Sequence, residues 1–260
     1  NARSIRNKLD EFSVQLTTNS IDIGAITESW LHNHIDSVYF NIPGYVLHRR
    51  DRPDREGGGV CAYVATGIPC KRRADLEHPV FECRWLWLRP HCLPRPLSGI
   101  LCRIVYFPEV YAQENRDRVS FIIETLDSVR LAHPDCGIIV LGDFNTLVPN
   151  DILNHHNLKQ VVRNRTHLDN ILDLILTDLY KHYDSPIVSA NLGTSDHSSV
   201  HWRPKTSRTT RANKTHKHSV RRFPESSINA FGRWVSSHQW FAGPDSTSSI
   251  NSMTESFNND

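Results

Sequence analysis

Gly137-Ile138-Ile139-Val140-Leu141-Gly142-Asp143-Phe144-Asn145 is the stretch on which the reading of this chain turns. Its first five residues are apolar and mostly branched, a run of strand length that ends at a glycine. It predicts a strand buried on both faces that delivers the carboxylate of Asp143 at its C-terminal end. Just before it, residues 113–132 predict the clearest helix, with Val119, Ile122, Ile123, Leu126 and Val129 on one face. Further back, three stretches read as strands: Gly99 to Phe107, Arg84-Trp85-Leu86-Trp87-Leu88, and Val60 to Val64 behind Gly57-Gly58-Gly59. Ile21 to Thr27 reads as another buried strand and ends at Glu28. Ser4 is a candidate cap for a helix carrying Ile5, Leu9, Phe12 and Leu16. Downstream, strands are expected at Ile171 to Thr177, Ile187 to Ala190 and Ser198 to Trp202. Strands mixed with helices, but not strictly alternating with them, argue for an α/β (α+β) arrangement of packed sheets with outer helices.

The chain has 260 residues and is 38% hydrophobic, enough for one large domain with a real core. It has no apolar run of membrane-spanning length, so no membrane partner is expected. No leader or other targeting signal is identified, and the expected location is intracellular. The net charge of +2 is unevenly spread. Residues 203–260 hold nine basic and four acidic groups, so +5, which leaves −3 for residues 1–202. After Trp202 the composition turns to Ser, Thr, Arg, Lys and His, and residues 203–260 are read as a basic, largely irregular linker. Six cysteines show no paired spacing, which argues against zinc and for small buried hydrophobes in a reducing compartment.

Four polar groups stand just past strands: Glu28, Asp143, Asn145 and Asp196. Hard cations such as Mg²⁺ take carboxylate oxygens and keep waters for substrate phosphate, so carboxylates gathered at strand ends suit them. His197 follows Asp196, and a histidine beside such a site, oriented by a carboxylate such as Asp173, can stabilise charge on a reacting phosphate. Each residue alone has a plainer reading: Gly-Asp-Phe-Asn as an Asx turn, Asp-His as a structural pair, a strand-end Glu as solvated. On residue types alone the chain reads as a phosphate-handling enzyme.

The order of the motifs is more specific. Asn1-Ala2-Arg3-Ser4, Thr27-Glu28-Ser29-Trp30-Leu31, Gly57-Gly58-Gly59-Val60, Val105-Tyr106-Phe107-Pro108, Gly142-Asp143-Phe144-Asn145, Ile171-Leu172-Asp173-Leu174-Ile175-Leu176-Thr177 and Ser195-Asp196-His197 follow one another. This series resembles the endonuclease domain of non-LTR (LINE-type) retrotransposons, kin to apurinic/apyrimidinic endonucleases and DNase I, over residues 1 to about 202. The resemblance implies a DNase I-like four-layered αββα sandwich, two packed mixed sheets between outer helices. It further implies a Mg²⁺-dependent endonuclease (Mn²⁺ the alternative ion) that nicks double-stranded DNA and leaves a 3′-hydroxyl to prime reverse transcription.

Under the same resemblance Glu28 and Asp196 hold the metal, and Asp143 orients or deprotonates the attacking water. Asn145 fixes the scissile phosphate, and His197, steered by Asp173, stabilises the pentacovalent phosphorus. Tyr106 hydrogen-bonds a phosphate oxygen, Asn1 supports the metal ligands, and Thr166 contacts phosphate. Basic loops, Arg49, Arg50, Arg52 and Arg55 on one side and Lys71, Arg72 and Arg73 on the other, are expected to track the DNA backbone, with Arg50 and Arg52 as phosphate contacts. Val220 to Ser236 resembles the segment joining such a domain to a reverse transcriptase, which implies a fused polymerase and nuclear action. No Tyr/Phe-x-Asp-Asp motif occurs, so polymerase activity is not expected in this chain. Relatives carry a strand immediately before the residue matching Asn1, and that first strand is expected to be missing here. Two other readings stay open: another branch of the superfamily, either an abasic-site repair nuclease or a lipid or inositol phosphatase, and an inactive nucleic-acid-binding remnant.

Overall fold

A computed structural model describes residues 1–53, 57–108, 112–205 and 225–237. Residues 1–207 form one compact unit and residues 208–260 a second. The first unit is built around a six-stranded mixed sheet. In chain order its strands are β4 (Cys70–Arg72), β5 (Cys83–Leu88), β6 (Gly99–Tyr106), β7 (Cys136–Asp143), β8 (Lys159–Gln160) and β9 (Asp173–Thr177). Their spatial order is β4-β5-β6-β7-β9-β8, with β6 and β7 parallel and the other pairs antiparallel. Helix α2 (Ala112–Ala132) joins the parallel pair, as a parallel crossover requires.

Side chains alternate along these strands, so each strand feeds two cores. Trp85, Leu101, Ile138 and Val140 point to one side, where Ile122, Leu126 and Val129 of α2 and Ile152 of α3 (Asn150–His156) cover them. Leu86, Ile100, Cys102, Ile104 and Ile139 point to the other. There they meet Val60, Ala62 and Val64 of β3 (Val60–Ala65), backed by Ile23 and Ala25 of β1 (Ile23–Thr27) and by Val188 and Val200 of a β10–β11 ribbon (Ile187–Asn191, Ser198–His201). The second layer is thus two small sheets, β1-β3-β2 with β2 at Tyr45–Arg50, and β10-β11. Its outer face carries Ile26, Cys61 and Tyr63 under Phe12 and Leu16 of α1 (Leu9–Thr18). Gly24 makes that close packing possible, because a Cβ there would lie 2.6 Å from Leu16 and 2.7 Å from Phe12. Helix, sheet, sheet and helix give the αββα sandwich.

Two expectations change. Helix α1 starts at Leu9 and not beside Ser4, because Ser4 sits at φ 80° and cannot be a normal N-cap; Ile5 is buried ahead of the helix. Arg49 and Arg50 lie in β2, and Lys71 and Arg72 in β4, so these basic residues are strand residues and not loops. Inside residues 203–260, Glu225–Ser237 is helical (α4), with Ile228, Phe231 and Trp234 at helical spacing. Arg55 and most of the basic arm, residues 206–224, lie outside the described residues. The cysteines are free thiols: Cys61, Cys83, Cys102 and Cys136 are buried, and burial pushes Cys61 and Cys102 up to about 12.

Between the sheets, Glu77 accepts hydrogen bonds from Arg84 at 2.7 Å and from Arg72 at 2.7 Å. The Arg84 side chain is 4% exposed, and its Nε has no partner among the described residues. Burial pushes the Glu77 carboxyl up, but the two guanidinium groups outweigh it and hold it below its usual value. Glu77→Gln strands Arg84 and should cost about 3–5 kcal/mol at pH 7. A depressed folded-state pKa means this contribution is complete above the usual glutamate range and fades as pH falls through the folded value. Urea melts should therefore show a large gap between wild type and variant at pH 7 and a much smaller one near pH 3. An equal gap at both would show that packing, not charge, carries the effect.

Candidate active site

The carboxylates gather where strand register brings them. Across the six-stranded sheet, Tyr106 of β6 pairs with Asp143 of β7, and Asp143 pairs with Asp173 of β9. Three residues far apart in the chain thus form one row at the sheet's edge. β1 ends at the same rim and hands on to Glu28, which turns at φ 51°. Asn145 stands at φ 47° just past β7. Left-handed backbone at non-glycine residues costs on the order of 1–3 kcal/mol and collects at functional sites. The turn after Glu28 is held by the triple glycine: Ser29 N–H donates to Gly59 O and Trp30 N–H to Gly58 O.

Asn1 is the hub. Its Nδ2 donates to Glu28 Oε1 at 2.9 Å and to Asp143 Oδ2 at 2.8 Å, and its amine lies 3.4 Å from Asp173 Oδ1. Tyr106 Oη also donates to Glu28 Oε1, at 2.9 Å, while Trp30 Nε1 donates to Glu28 Oε2 at 3.1 Å. Asp143 Oδ1 accepts the Asn145 N–H at 2.9 Å, and Asn145 Nδ2 donates to Phe107 O at 2.7 Å. The Asx turn expected of Gly-Asp-Phe-Asn is therefore present, and it also aims two site residues.

Beside this group, His197 Nδ1 meets Asp173 Oδ2 at 2.7 Å. With its proton assigned to Nδ1, facing the carboxylate, the imidazole keeps Nε2 for another partner. Ser195 ties the two halves, donating from Oγ to Asn1 O at 2.9 Å and accepting the His197 N–H at 3.1 Å.

The electrostatics follow from crowding. Asp143 is 1% exposed, and burial followed by the charge of Asp173 raises its pKa. Burial pushes Asp173 up too, but the Asn1 ammonium and the His197 hydrogen bond hold it below the usual aspartate value. Tyr106 is raised by burial and by Glu28, so it stays a neutral phenol. Partly paired carboxylate oxygens on one rim, one of them destabilised as an anion, form a hard-donor set that fits a divalent cation of the Mg²⁺ class. Glu28 Oε1 accepts two hydrogen bonds and Oε2 one, so Oε2 is the oxygen that keeps a lone pair for a cation.

Asp196 Oδ2 accepts from Arg3 Nη1 at 2.9 Å and lies 3.4 Å from His167 Nε2. Thr166 is 1% exposed, and its Oγ1 accepts the N–H groups of Leu172 and Asp173 at 3.0 Å each. In this structure its hydroxyl braces the entry to β9. Arg52 Nε donates to Glu82 Oε1 at 2.8 Å, and the guanidinium lies over the Tyr106 ring. Arg50 donates to Pro79 O, and Arg49 is held by Asp51, Ile35 O and His32 O. These arginines spend donors inside the protein.

Four site neighbours escaped the sequence reading: Trp30, Ser195, Arg3 and His167. The first three lie inside motifs already quoted, so position was a signal although their roles were not. His167, whose ring packs on His197 with centroids 4.5 Å apart, had no signal beyond following Thr166.

Comparison with family models and with curated protein sequences finds no match. Solved structures do match. The AP endonuclease of Leishmania major has a TM-score of 0.63 at 14% identity, covering 78% of this chain and 86% of that one. The endonuclease domain of TRAS1, a telomere-specific non-LTR retrotransposon, has a TM-score of 0.56 at 13% identity, covering 76% and 92%. A 3′ phosphatase from Neisseria, solved with a product DNA hairpin, has a TM-score of 0.56 at 15% identity, covering 78% and 96%. The chain therefore has the DNase I-like fold of the AP endonucleases and of the TRAS1 endonuclease domain.

Proposed function

We propose that this chain is a divalent-metal-dependent endonuclease that nicks double-stranded DNA, of the kind carried by non-LTR retrotransposons. The observation that carries the reading is the junction of Glu28, Asn1 and Asp143 beside the Asp173–His197 pair on one rim. Glu28, with Asp196 nearby in sequence to His197, would hold the metal, which when bound neutralises phosphate charge and lowers the barrier to attack. Asp143 accepts the proton of the attacking water. The new bond joins that water's oxygen to phosphorus, and the bond to the 3′ oxygen breaks. That oxygen takes a proton from solvent and becomes a 3′-hydroxyl, leaving a 5′-phosphate. Asn145 holds a phosphate oxygen, and Tyr106 turns its hydroxyl to one from its place on Glu28. His197, held by Asp173 at Nδ1, acts as the imidazolium and donates from Nε2 to an oxygen of the pentacovalent phosphate. Positioning and charge stabilisation supply most of the rate. The released 3′-hydroxyl would prime reverse transcription by a fused polymerase, in the nucleus. The ordered motifs and the TRAS1 likeness support that last step. Among the described residues no helix is long and apolar enough to cross a membrane.

The test is nicking of supercoiled plasmid. Mg²⁺ should give open-circle product with ends a polymerase can extend, EDTA should abolish it, and added Mg²⁺ or Mn²⁺ should restore it. Duplex with one abasic site and a phosphoinositide run alongside. Cleavage of the abasic duplex more than about 100-fold faster than intact DNA, equivalent to about 2.7 kcal/mol, would favour the repair reading. Phosphate release from lipid alone would favour the phosphatase. A version with a strand-forming segment ahead of Asn1 belongs in the same assay. Among the described residues β1 pairs with β3 alone and β11 with β10 alone, while Ala2 N–H bonds Thr27 O at the end of β1. Folded protein that cuts nothing in either form would overturn the proposal.

A further inference from the structure

Away from the rim, on the two helices that cover the outer face of the six-stranded sheet, three ligand-type side chains converge: Asp127 of α2, and His155 and His156 at the end of α3. One donor atom from each lies within 4.8 Å of the others. His155 Nε2 is 3.1 Å from both oxygens of Asp127, and His156 Nδ1 is 3.9 Å from Asp127 Oδ1.

A surface ion pair between His155 and Asp127 explains the first contact and would be worth little. It does not explain His156. That side chain is 4% exposed, and its Nε2 lies 3.2 Å from the carbonyl oxygen of Ile123, one turn before Asp127 on α2. A carbonyl only accepts, so Nε2 carries the proton and Nδ1 keeps its lone pair, turned toward the same carboxylate. A histidine whose far nitrogen is fixed by a backbone carbonyl while the near one faces an acid has the arrangement seen at metal ligands.

We propose that Asp127, His155 and His156 form a second cation site, for a transition ion of the zinc class, which clamps α3 onto α2. Two imidazole nitrogens and one carboxylate oxygen suit Zn²⁺ or Co²⁺ and disfavour Mg²⁺, which takes oxygen ligands. Ligand bonds of about 2.0–2.2 Å need the donors to draw in slightly. His155 and Asp127, whose side chains are 49% and 55% exposed, are free to do so, while His156 stays fixed. Water completes the coordination. The site shares no residue with the rim, and the inference does not rest on the nuclease reading.

The test uses the full chain, free of any histidine tag, with Mg²⁺ in large excess to occupy the hard-donor rim. Co²⁺ is added and followed by its visible absorption. One Co²⁺ per chain should bind. His155→Ala and Asp127→Ala, both at exposed positions, should each weaken it by more than the roughly 10–100-fold that losing an outer-shell partner costs. Zn²⁺ at about 100 times its Kd should raise the Tm of wild type by on the order of 5–10 °C, and of neither variant. Asp143→Ala should keep both responses. The proposal falls if wild type binds no Co²⁺ in excess Mg²⁺, or if His155→Ala binds it as wild type does. It also falls if Asp143→Ala, and not the helix variants, loses the signal, because the cation then belongs to the rim.

Discussion

Asp143→Ala should lower plasmid nicking by at least about 1,000-fold while leaving the chain folded. The first half follows from position: Asp143 is the rim carboxylate bonded to both Asn1 and Asn145, so its loss removes the proton acceptor and releases two neighbours. Removing a group that moves a proton in the transition state costs about 100- to 10,000-fold, and lost positioning adds to it. The second half follows from electrostatics. Burial and the nearby charge of Asp173 both disfavour the Asp143 carboxylate, so removing it relieves a penalty as it deletes two hydrogen bonds. The Tm should therefore move by only a few degrees, as expected where a site is built at some cost to stability. Asp143→Asn sharpens the result. The amide keeps the shape but offers one oxygen where two N–H groups now find two, so activity should stay near that of the alanine variant. Nicking within about tenfold of wild type in either variant would mean that another group activates the water.

Gly142→Ala, inside β7, should be far more damaging than alanine at any other glycine of the described residues. Gly142 sits at φ 140°, and a Cβ there would fall 1.9 Å from the carbonyl oxygen of Val105. That oxygen is backbone in the paired strand β6 and has no rotamer by which to retreat. Strain of about 1–3 kcal/mol at a forbidden φ and a similar cost of overpacking add to several kcal/mol, against a total stability of about 5–15. Thermal melts should show a drop of more than about 10 °C or no cooperative transition. Nicking should be lost even where folded protein remains, because the β6–β7 register that places Tyr106 beside Asp143 must shift. Gly67→Ala is the control: nothing lies within 4 Å of its added Cβ, and stability should change by less than about 1 kcal/mol. Equal effects at both positions would contradict the steric account.

Elements with strong local signals were legible in the sequence. The apolar runs at β5, β6, β7 and β9 and the amphipathic α2 all form near where their patterns placed them. Weaker ones were not. Strand β2 reads Tyr-Val-Leu-His-Arg-Arg, and its basic end looks like a loop until Asp51 and the carbonyls of His32 and Ile35 are seen to absorb Arg49. Helix α3 has only seven residues and follows a proline, too short for a periodic pattern to register. The sequence shows the charge of Arg50 and Arg52 but not the partners, Pro79 O and Glu82, on which the structure places them.

Local sequence determined which side chains stand at strand ends: Glu28, Asp143 and Asp173 are each placed by an apolar run that stops where they begin or starts where they end. It determined the positive-φ backbone of glycines 57–59 and, inside β7, of Gly142 as well. Which ends meet was decided only by tertiary structure. The parallel pairing of β6 with β7 and the antiparallel pairing of β7 with β9 set Tyr106, Asp143 and Asp173 in one row. That register holds because a shift by one residue would turn Ile138 and Val140 away from α2 and reverse every buried face of the sheet. The hub position of Asn1 and the pairing of Asp196 with Arg3 are likewise products of packing, since the hydrogen bonds that fix them join segments remote in the chain.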